Sequence, residues 1–278
     1  MTLSGTAKRG SEYGVVHSQA PRSQSILEFL EEEVSLSIER AKELLWLGAV
    51  YVDGQRVCDP NTVVGEASDI RVHTEPRRFK IPSLASRIVQ KHSDFYVVDK
   101  PSGVPTHGLV DNLRENLIAK MSEELGEKLF ITHRLDVETS GLLIIACNSE
   151  AQARINAKIA AKEIQRFYRA RVERPVSLGR HVHYLEQSPK APKRVSRVER
   201  PGWLRCELEV LSCTEIENAQ YELEIELFTG RSQQIRAQLA DLGAPIVGDA
   251  RYGSSIRLTD SETESTSISL RADRLIGL

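Results

Sequence analysis

The sequence predicts an α+β protein in two parts: a small α/β unit, then a larger one built on a central mixed, largely antiparallel sheet. Three observations carry this. Residues 166–173, 204–211 and 221–228 alternate apolar and polar side chains, as strands with one solvated face do. Segments 37–47, 112–125, 149–163 and 232–242 read as helices. A basic stretch with two prolines, residues 76–86, separates short elements from longer ones and reads as a linker.

Taken in order, residues 1–23 contain Ser and Gly, lack periodicity, and read as a disordered tail. Their one acid is Glu12, against Lys8, Arg9 and Arg22, a weakly transit-like balance. Residues 24–75 form the small unit. Ser37 caps a helix whose Ala41, Leu44, Leu45 and Leu47 share a face, and Gly48 ends it. Val50–Val57 is a hairpin turning at Asp53-Gly54, and Asp69–His73 is a further strand. The larger unit runs over 87–278. Tyr96-Val97-Val98 is a buried strand entering a turn at Lys100-Pro101-Ser102-Gly103. Gly141–Cys147, an unbroken apolar run, is a central strand. Ser149 with Gln152 suggests a capping box for the helix that follows. Residues 254–267 read as a mobile polar loop.

Composition excludes several classes. The 278 residues are 40% hydrophobic and 27% charged, which is ordinary for a globular protein. No apolar run approaches the ~20 residues of a membrane span, and no apolar leader follows the first methionine. Cys58, Cys147, Cys206 and Cys213 form no CxxC and read as reduced thiols. A reducing compartment, the cytoplasm, is expected, with an organelle as the alternative. The net charge of −2 hides an uneven distribution. Residues 151–200 carry thirteen Lys/Arg against four acids, while 201–228 carry one arginine against seven glutamates. The basic block points to a polyanion partner or to a solvated face.

No phosphate-binding glycine loop and no HExxH occurs. His181 and His183 would share a strand face, but two ligands without a third suit a surface pair better than a metal. Two segments can carry chemistry. His133-Arg134-Leu135-Asp136 sits in a polar turn just before the buried strand, where Asp136 either caps the turn or presents a reactive carboxylate. Thr229-Gly230-Arg231 precedes a helix, where Arg231 is either a surface arginine or the partner of a carboxylate.

These segments resemble a family when taken together. His133-Arg134-Leu135-Asp136-x-x-Thr139-Ser140-Gly141-Leu142-Leu143 is similar to the signature of the RluA family of RNA pseudouridine synthases. Asp94–Lys100 with Pro101 and Gly103, Arg166-Phe167-Tyr168, Thr229-Gly230-Arg231 through Gln234-Ile235-Arg236, and Gly248-Asp249-x-x-Tyr252-Gly253 resemble its other motifs in order. The likeness covers about residues 87–253. Residues 24–75 resemble, more loosely, the S4 RNA-binding domain. The sequence departs from the family pattern in places: Ser232 stands where it has threonine, Gln233 and Gln238 where it has histidines, Arg166 where it has lysine, and the usual final His-Pro is missing.

The resemblance implies isomerisation of specific uridines in RNA to pseudouridine, through an aspartate and without cofactor or metal. Asp136 would be the reacting carboxylate, attacking base or sugar. Arg231 would pair with it, and Tyr168 would stack on the uracil and help remove its C5 proton. Arg134, Ile235 and His133 would bind the substrate, Arg134 filling the space left by a base turned out of its stack. Arg166, Lys190, Lys193 and Arg194 would contact RNA phosphates. The implied partner is RNA, ribosomal RNA favoured and transfer RNA the other option, with no membrane and a monomeric protein. The alternative is a catalytically inactive RNA-binding protein on the same fold. A hydrolase pairing Asp136 with a glutamate ranks last.

Overall fold

The structure, a computed structural model, describes residues 8–10, 14–188 and 191–278. The chain forms two compact units: Met1–Phe79 with His107–Ala119, and Lys80–Thr106 with Lys120–Leu278.

In the first unit, helices Ile26–Glu32 and Ile38–Leu47 pack beside a sheet. Ser25 and Glu28 form a capping box, Ser37 accepts the Arg40 amide, and Gly48 closes the second helix at φ 70°. Phe29, Leu30, Leu44, Leu45, Val50 and Val72 fill one core. Truncating such a leucine to alanine costs about 2–5 kcal/mol. Val50–Val52 and Gln55–Val57 form the expected hairpin, with Asp53 and Gly54 both at positive φ as a type I′ turn requires.

The disordered tail is corrected over part of its length. Residues 1–7 and 11–13 lie outside the described residues, but Val15–Gln19 is a strand paired with Asp69–His73. Val16 and Ala20 are buried in the core. Its period is that of a half-buried strand, obscured in sequence because His17, Ser18 and Gln19 supply most of its side chains.

The linker is also corrected. Arg77 and Arg78 pair with Asp111 (2.6 Å) and Glu115 (2.7 Å), because residues 107–119 return to the first unit. Helix starts only at Leu117. Before it, the Asn112 Oδ1 accepts the amides of Arg114 and Glu115, a side-chain turn that competes with helix.

The second unit is a ten-stranded sheet, mixed and largely antiparallel as expected. Ser140–Ala146 lies inside it, antiparallel to Phe95–Lys100 and parallel to the start of Leu270–Ile276. Gly141, at φ +109°, sits where the parallel strand comes closest: a Cβ there would lie 2.1 Å from the Ala272 carbonyl oxygen. Only glycine fits. Helix Ser149–Ala160 covers Phe95, Val97, Ile144 and Ala146. Its cap is Asn148, whose Oδ1 accepts the Ala151 amide; Gln152 instead donates to the Ile131 carbonyl. The polar loop of 254–267 contains a hairpin, Leu258–Asp260 with Ser265–Ser267.

Candidate active site

The chain leaves the sheet at Thr132 without losing the ladder. Phe130 and Ile131 pair with Ala146 and Ile145. At the next rung, side chains replace backbone: Thr132 Oγ1 donates to the Ile144 carbonyl (2.7 Å) and His133 Nε2 accepts the Ile144 amide (3.2 Å). The backbone is thereby freed to turn while the central strand stays satisfied. His133 must be neutral to accept there. Burial, then the charge of Arg166, pushes its pKa down to about 3.

The turn that follows rests in a cradle supplied by Lys100–Thr106. Thr106 Oγ1 bonds both the carbonyl (2.8 Å) and the amide (3.2 Å) of Leu135. The Gly103 amide and Lys100 Nζ both reach the Val137 carbonyl, at 2.8 and 3.1 Å. Ser102 Oγ donates to the Glu138 carbonyl at 2.8 Å. Lys100 is fully buried and also donates to the carbonyls of Pro101 and Val104. Burial pushes its pKa down to about 7, opposed by Asp136 and Glu138. Three carbonyl acceptors require three N–H donors, so the folded geometry is that of the ammonium.

This cradle holds Asp136 at the wall of a cavity of about 540 Å³. Tyr168, Ile235, Arg134 and Arg231 line the same space. The segments come from positions far apart in the chain, and they meet as the sequence requires of a site. Among the described lining residues, Asp136 is the one carboxylate, facing Arg134, Lys162, Arg166, Arg231 and Arg236. Burial raises the Asp136 pKa, while Arg236 pulls it down and Glu138 adds to the rise. The Tyr168 phenol is raised by burial too, with Arg166 opposing.

A family model described as RNA pseudouridylate synthase matches residues 94–241, from the strand before the cradle to the helix behind Arg236. The chain belongs to that family. The chloroplastic RNA pseudouridine synthase 6 of Arabidopsis thaliana is 34% identical over 223 residues, 71% of this chain and 47% of that protein. Ribosomal large subunit pseudouridine synthase D of Vibrio vulnificus is 29% identical, across 84% of this chain and 74% of that protein. The chain spans about half the length of the plant relatives it matches. A solved structure titled Human RNA Pseudouridylate Synthase Domain Containing 4 shares the fold, with a TM-score of 0.54 at 22% identity over 69% of this chain and 84% of that one.

In this pseudouridylate synthase family member, the cation at ion-pair distance from Asp136 is Arg236 (3.6 Å), where Arg231 was expected. Arg231 lines the cavity, but its side chain is exposed, and no carboxylate among the described residues lies within 4 Å of it. Arg236 is 2% exposed and forks onto Asp249 at 2.7 and 3.0 Å while reaching Glu138 at 3.0 Å. Both Arg236 and Asp249 stood in the motif segments, so the signal was present without a role attached. Glu138 shares Arg236 with Asp136 but does not line the cavity, which leaves the hydrolase pairing without its second acid.

The other expected residues divide. Tyr168 and Ile235 are buried against the cavity, and Arg134 is exposed at it. His133 lines it too, but its Nε2 is spent on the strand, a correction to its reading as a substrate ligand. Lys193 and Arg194 lie between strands Gly179–Leu185 and Val195–Ser196, and do not line the cavity. Lys190 lies outside the described residues. The basic block as a whole does not line the cleft either. Arg154 pairs with Asp94, Arg169 with Asp273 and Glu222, Arg180 with Glu207 and Glu209, and Arg197 with Asp241. Several of these acids belong to the glutamate-rich strands Leu204–Ile216 and Gln220–Leu227, so the two charge blocks largely cancel across the sheet. Lys162 and Arg166 are the members that face the cavity.

The two positions with glutamine in place of histidine are accommodated. Gln238 Nε2 donates to His183 Nδ1 (2.9 Å) and the His181 carbonyl, and its Oε1 accepts from Gln234. Gln233 Oε1 accepts the Tyr252 hydroxyl. Gln234 in turn accepts the Thr229 hydroxyl and the Arg231 amide, fixing the loop that carries Arg231. His183 is buried, so the expected surface pair with His181 is corrected as well.

Proposed function

We propose that this chain converts uridines within RNA to pseudouridine, with Asp136 as the reacting carboxylate. The observation that carries the reading is the meeting of Asp136, Tyr168, Ile235 and Arg134 in one cation-lined cavity. Isomerisation breaks the bond between N1 and the ribose C1′, turns the base, and joins C5 to C1′. C5 loses a proton and N1 gains one, so mass is unchanged. A single ionised carboxylate suits this, either as nucleophile or as base. Tyr168 offers a ring for the uracil to stack on, Ile235 an apolar contact, and Arg134, at the rim, a side chain to replace the extruded base. The neighbouring arginines favour the carboxylate form of Asp136.

Ribosomal RNA is the favoured substrate, in keeping with the name of the Vibrio relative, with transfer RNA second. Lys190, Lys193 and Arg194 would supply outer phosphate contacts, and the helix-and-hairpin unit of residues 24–75 an accessory one. The protein would act as a monomer in a reducing compartment, the cytoplasm or an organelle. No helix among the described residues is long and apolar enough to cross a membrane. The inactive alternative loses its motive, since Gln233 and Gln238 are both hydrogen-bonded within the protein, Gln233 to Tyr252 and Gln238 to the His181 carbonyl.

The test is incubation of unmodified ribosomal and transfer RNA with the protein, followed by nucleoside analysis. Conversion of uridine to pseudouridine without mass change supports the reading. RNA binding without conversion would return the protein to the inactive class, and release of free uracil would make it a hydrolase.

A further inference from the structure

Arg166 is an uncompensated cation in the wall of the cavity. It is 8% exposed, and its Nε has no partner. Among the described residues its side chain makes one hydrogen bond, from Nη2 to the Leu227 carbonyl at 3.3 Å, a neutral acceptor. No carboxylate among the described residues lies within ion-pair distance of it. A buried guanidinium in that state is costly, because lost hydration is not replaced by a counter-charge. The surroundings protect the arrangement. The residue facing the guanidinium is Gly230, where a Cβ would lie 2.8 Å from Nη1. The Arg166 side chain lines the cavity beside His133 and Tyr168.

Arg166 also borders a smaller adjoining pocket of about 110 Å³, shared with Lys162 and Phe228. Lys162 follows the end of helix Ser149–Ala160 at φ +62°, a conformation in which glycine would be cheaper by about 1 kcal/mol. Its ammonium sits 5.5 Å from the Phe228 ring. The one acid at this pocket, Glu226, is bonded by Gln165 (3.1 Å).

We propose that Arg166 and Lys162 form a phosphodiester site, Arg166 as the inner ligand and Lys162 as the outer one, which holds a backbone phosphate next to the nucleotide turned into the cavity. This rests on the reading of the protein as an RNA enzyme and adds where the strand is gripped. The pocket is too small for a further nucleoside but takes a tetrahedral phosphate, and a planar fork with free N–H groups matches its oxygens. The grip lies inside the cavity, so it would bind the nucleotide only after extrusion and help keep it there.

The test is equilibrium binding of a short oligoadenylate with one central uridine, compared with the same strand carrying a neutral methylphosphonate at either phosphate flanking the uridine. The wild-type protein should lose about tenfold affinity for one of the two modified strands. Arg166→Gln should lose about tenfold on the unmodified strand and nothing further on that modified one. Arg166→Met, which also removes the charge and suits a buried position, carries the same comparison if the glutamine variant does not fold. Lys162→Gly suits the backbone, so it should fold normally and flatten the log–log salt dependence by about 0.7, one single-strand phosphate. Additive losses, with Arg166→Gln and the methylphosphonate each acting in full on the other's background, would overturn the phosphate site alone. Failure of the wild-type protein to bind the strand at all would overturn the RNA reading with it.

Discussion

Arg236 ties Asp136 to Asp249: one guanidinium lies 3.6 Å from the Asp136 carboxylate and forks onto Asp249, itself 1% exposed. The residue that lies beside the Asp136 carboxylate is thus the same one that locks helix Gln234–Asp241 to the turn before Tyr252.

Removing that tie should act on stability and chemistry together. Arg236→Met leaves a buried carboxylate at Asp249 unpaired, a loss of about 3–5 kcal/mol. Arg236→Lys keeps the charge without the fork and should lose less. The proposed reaction needs Asp136 ionised, and its pKa is raised by burial against the pull of Arg236. Activity therefore falls as pH drops through that raised value, and weakening the Arg236 contact should move the acidic limb to higher pH. The pH profile of kcat/KM for Arg236→Lys, which reads the free enzyme, is the check. An unmoved limb would remove Arg236 from the control of Asp136.

Arg231→Met makes the contrast. Its exposed guanidinium lines the cavity with no carboxylate among the described residues at ion-pair distance, so the variant should lose activity through the bound complex, by about tenfold or more. The acidic limb of kcat/KM should stay where it is. A limb displaced upward would give Arg231, rather than Arg236, the hold on Asp136.

Much of this was legible in the sequence, and the misses have physical causes. The unbroken apolar run 141–147 and the polar turn before it marked the central strand and the position of Asp136, because burial and turn chemistry are local signals. Which of two arginines on one helix start reaches that carboxylate is not local. It depends on Gln233 adopting a left-handed conformation, which delays the helix to Gln234 and turns Arg236 inward. The charge blocks mislead for the same reason: +9 and −6 are separate along the chain, and strand pairing sets them side by side. The strand Val15–Gln19 escaped notice because two valines among polar residues are too few to show a period, and the return of residues 107–119 to the first unit because ion pairs between distant segments leave no mark on composition.

His133 should not titrate in the physiological range. Its Nε2 accepts the Ile144 amide, and burial holds its pKa down to about 3. Because the folded value is depressed, the unfolded chain binds this proton first. The stability His133 contributes is therefore full above its unfolded pKa and is lost as pH falls from there toward 3. Ring nitrogen shifts in NMR should report neutral imidazole with the proton on Nδ1 at about pH 5, well below the ordinary histidine value. Protonation near that ordinary value would mean the side-chain rung to the central strand is not made.

Gly141→Ala should be among the most damaging small substitutions in the chain. The added methyl would sit 2.1 Å from the Ala272 carbonyl oxygen at φ +109°. Forcing the parallel strands apart should lose about 3 kcal/mol or more, measured by urea denaturation. A loss under about 1 kcal/mol, the usual scale of a mild substitution, would show that the close approach is not required.

The most direct test of the whole account is a site-resolved pseudouridine map of ribosomal and transfer RNA, exposed to the wild-type protein or to Asp136→Asn. The asparagine keeps the shape of the side chain and removes its charge and nucleophilicity. The wild-type protein should create pseudouridine at defined positions, and the variant should bind the same RNA and create none. An unchanged map with the wild-type protein, or the same new positions with the variant, would contradict the assignment of uridine isomerisation to Asp136.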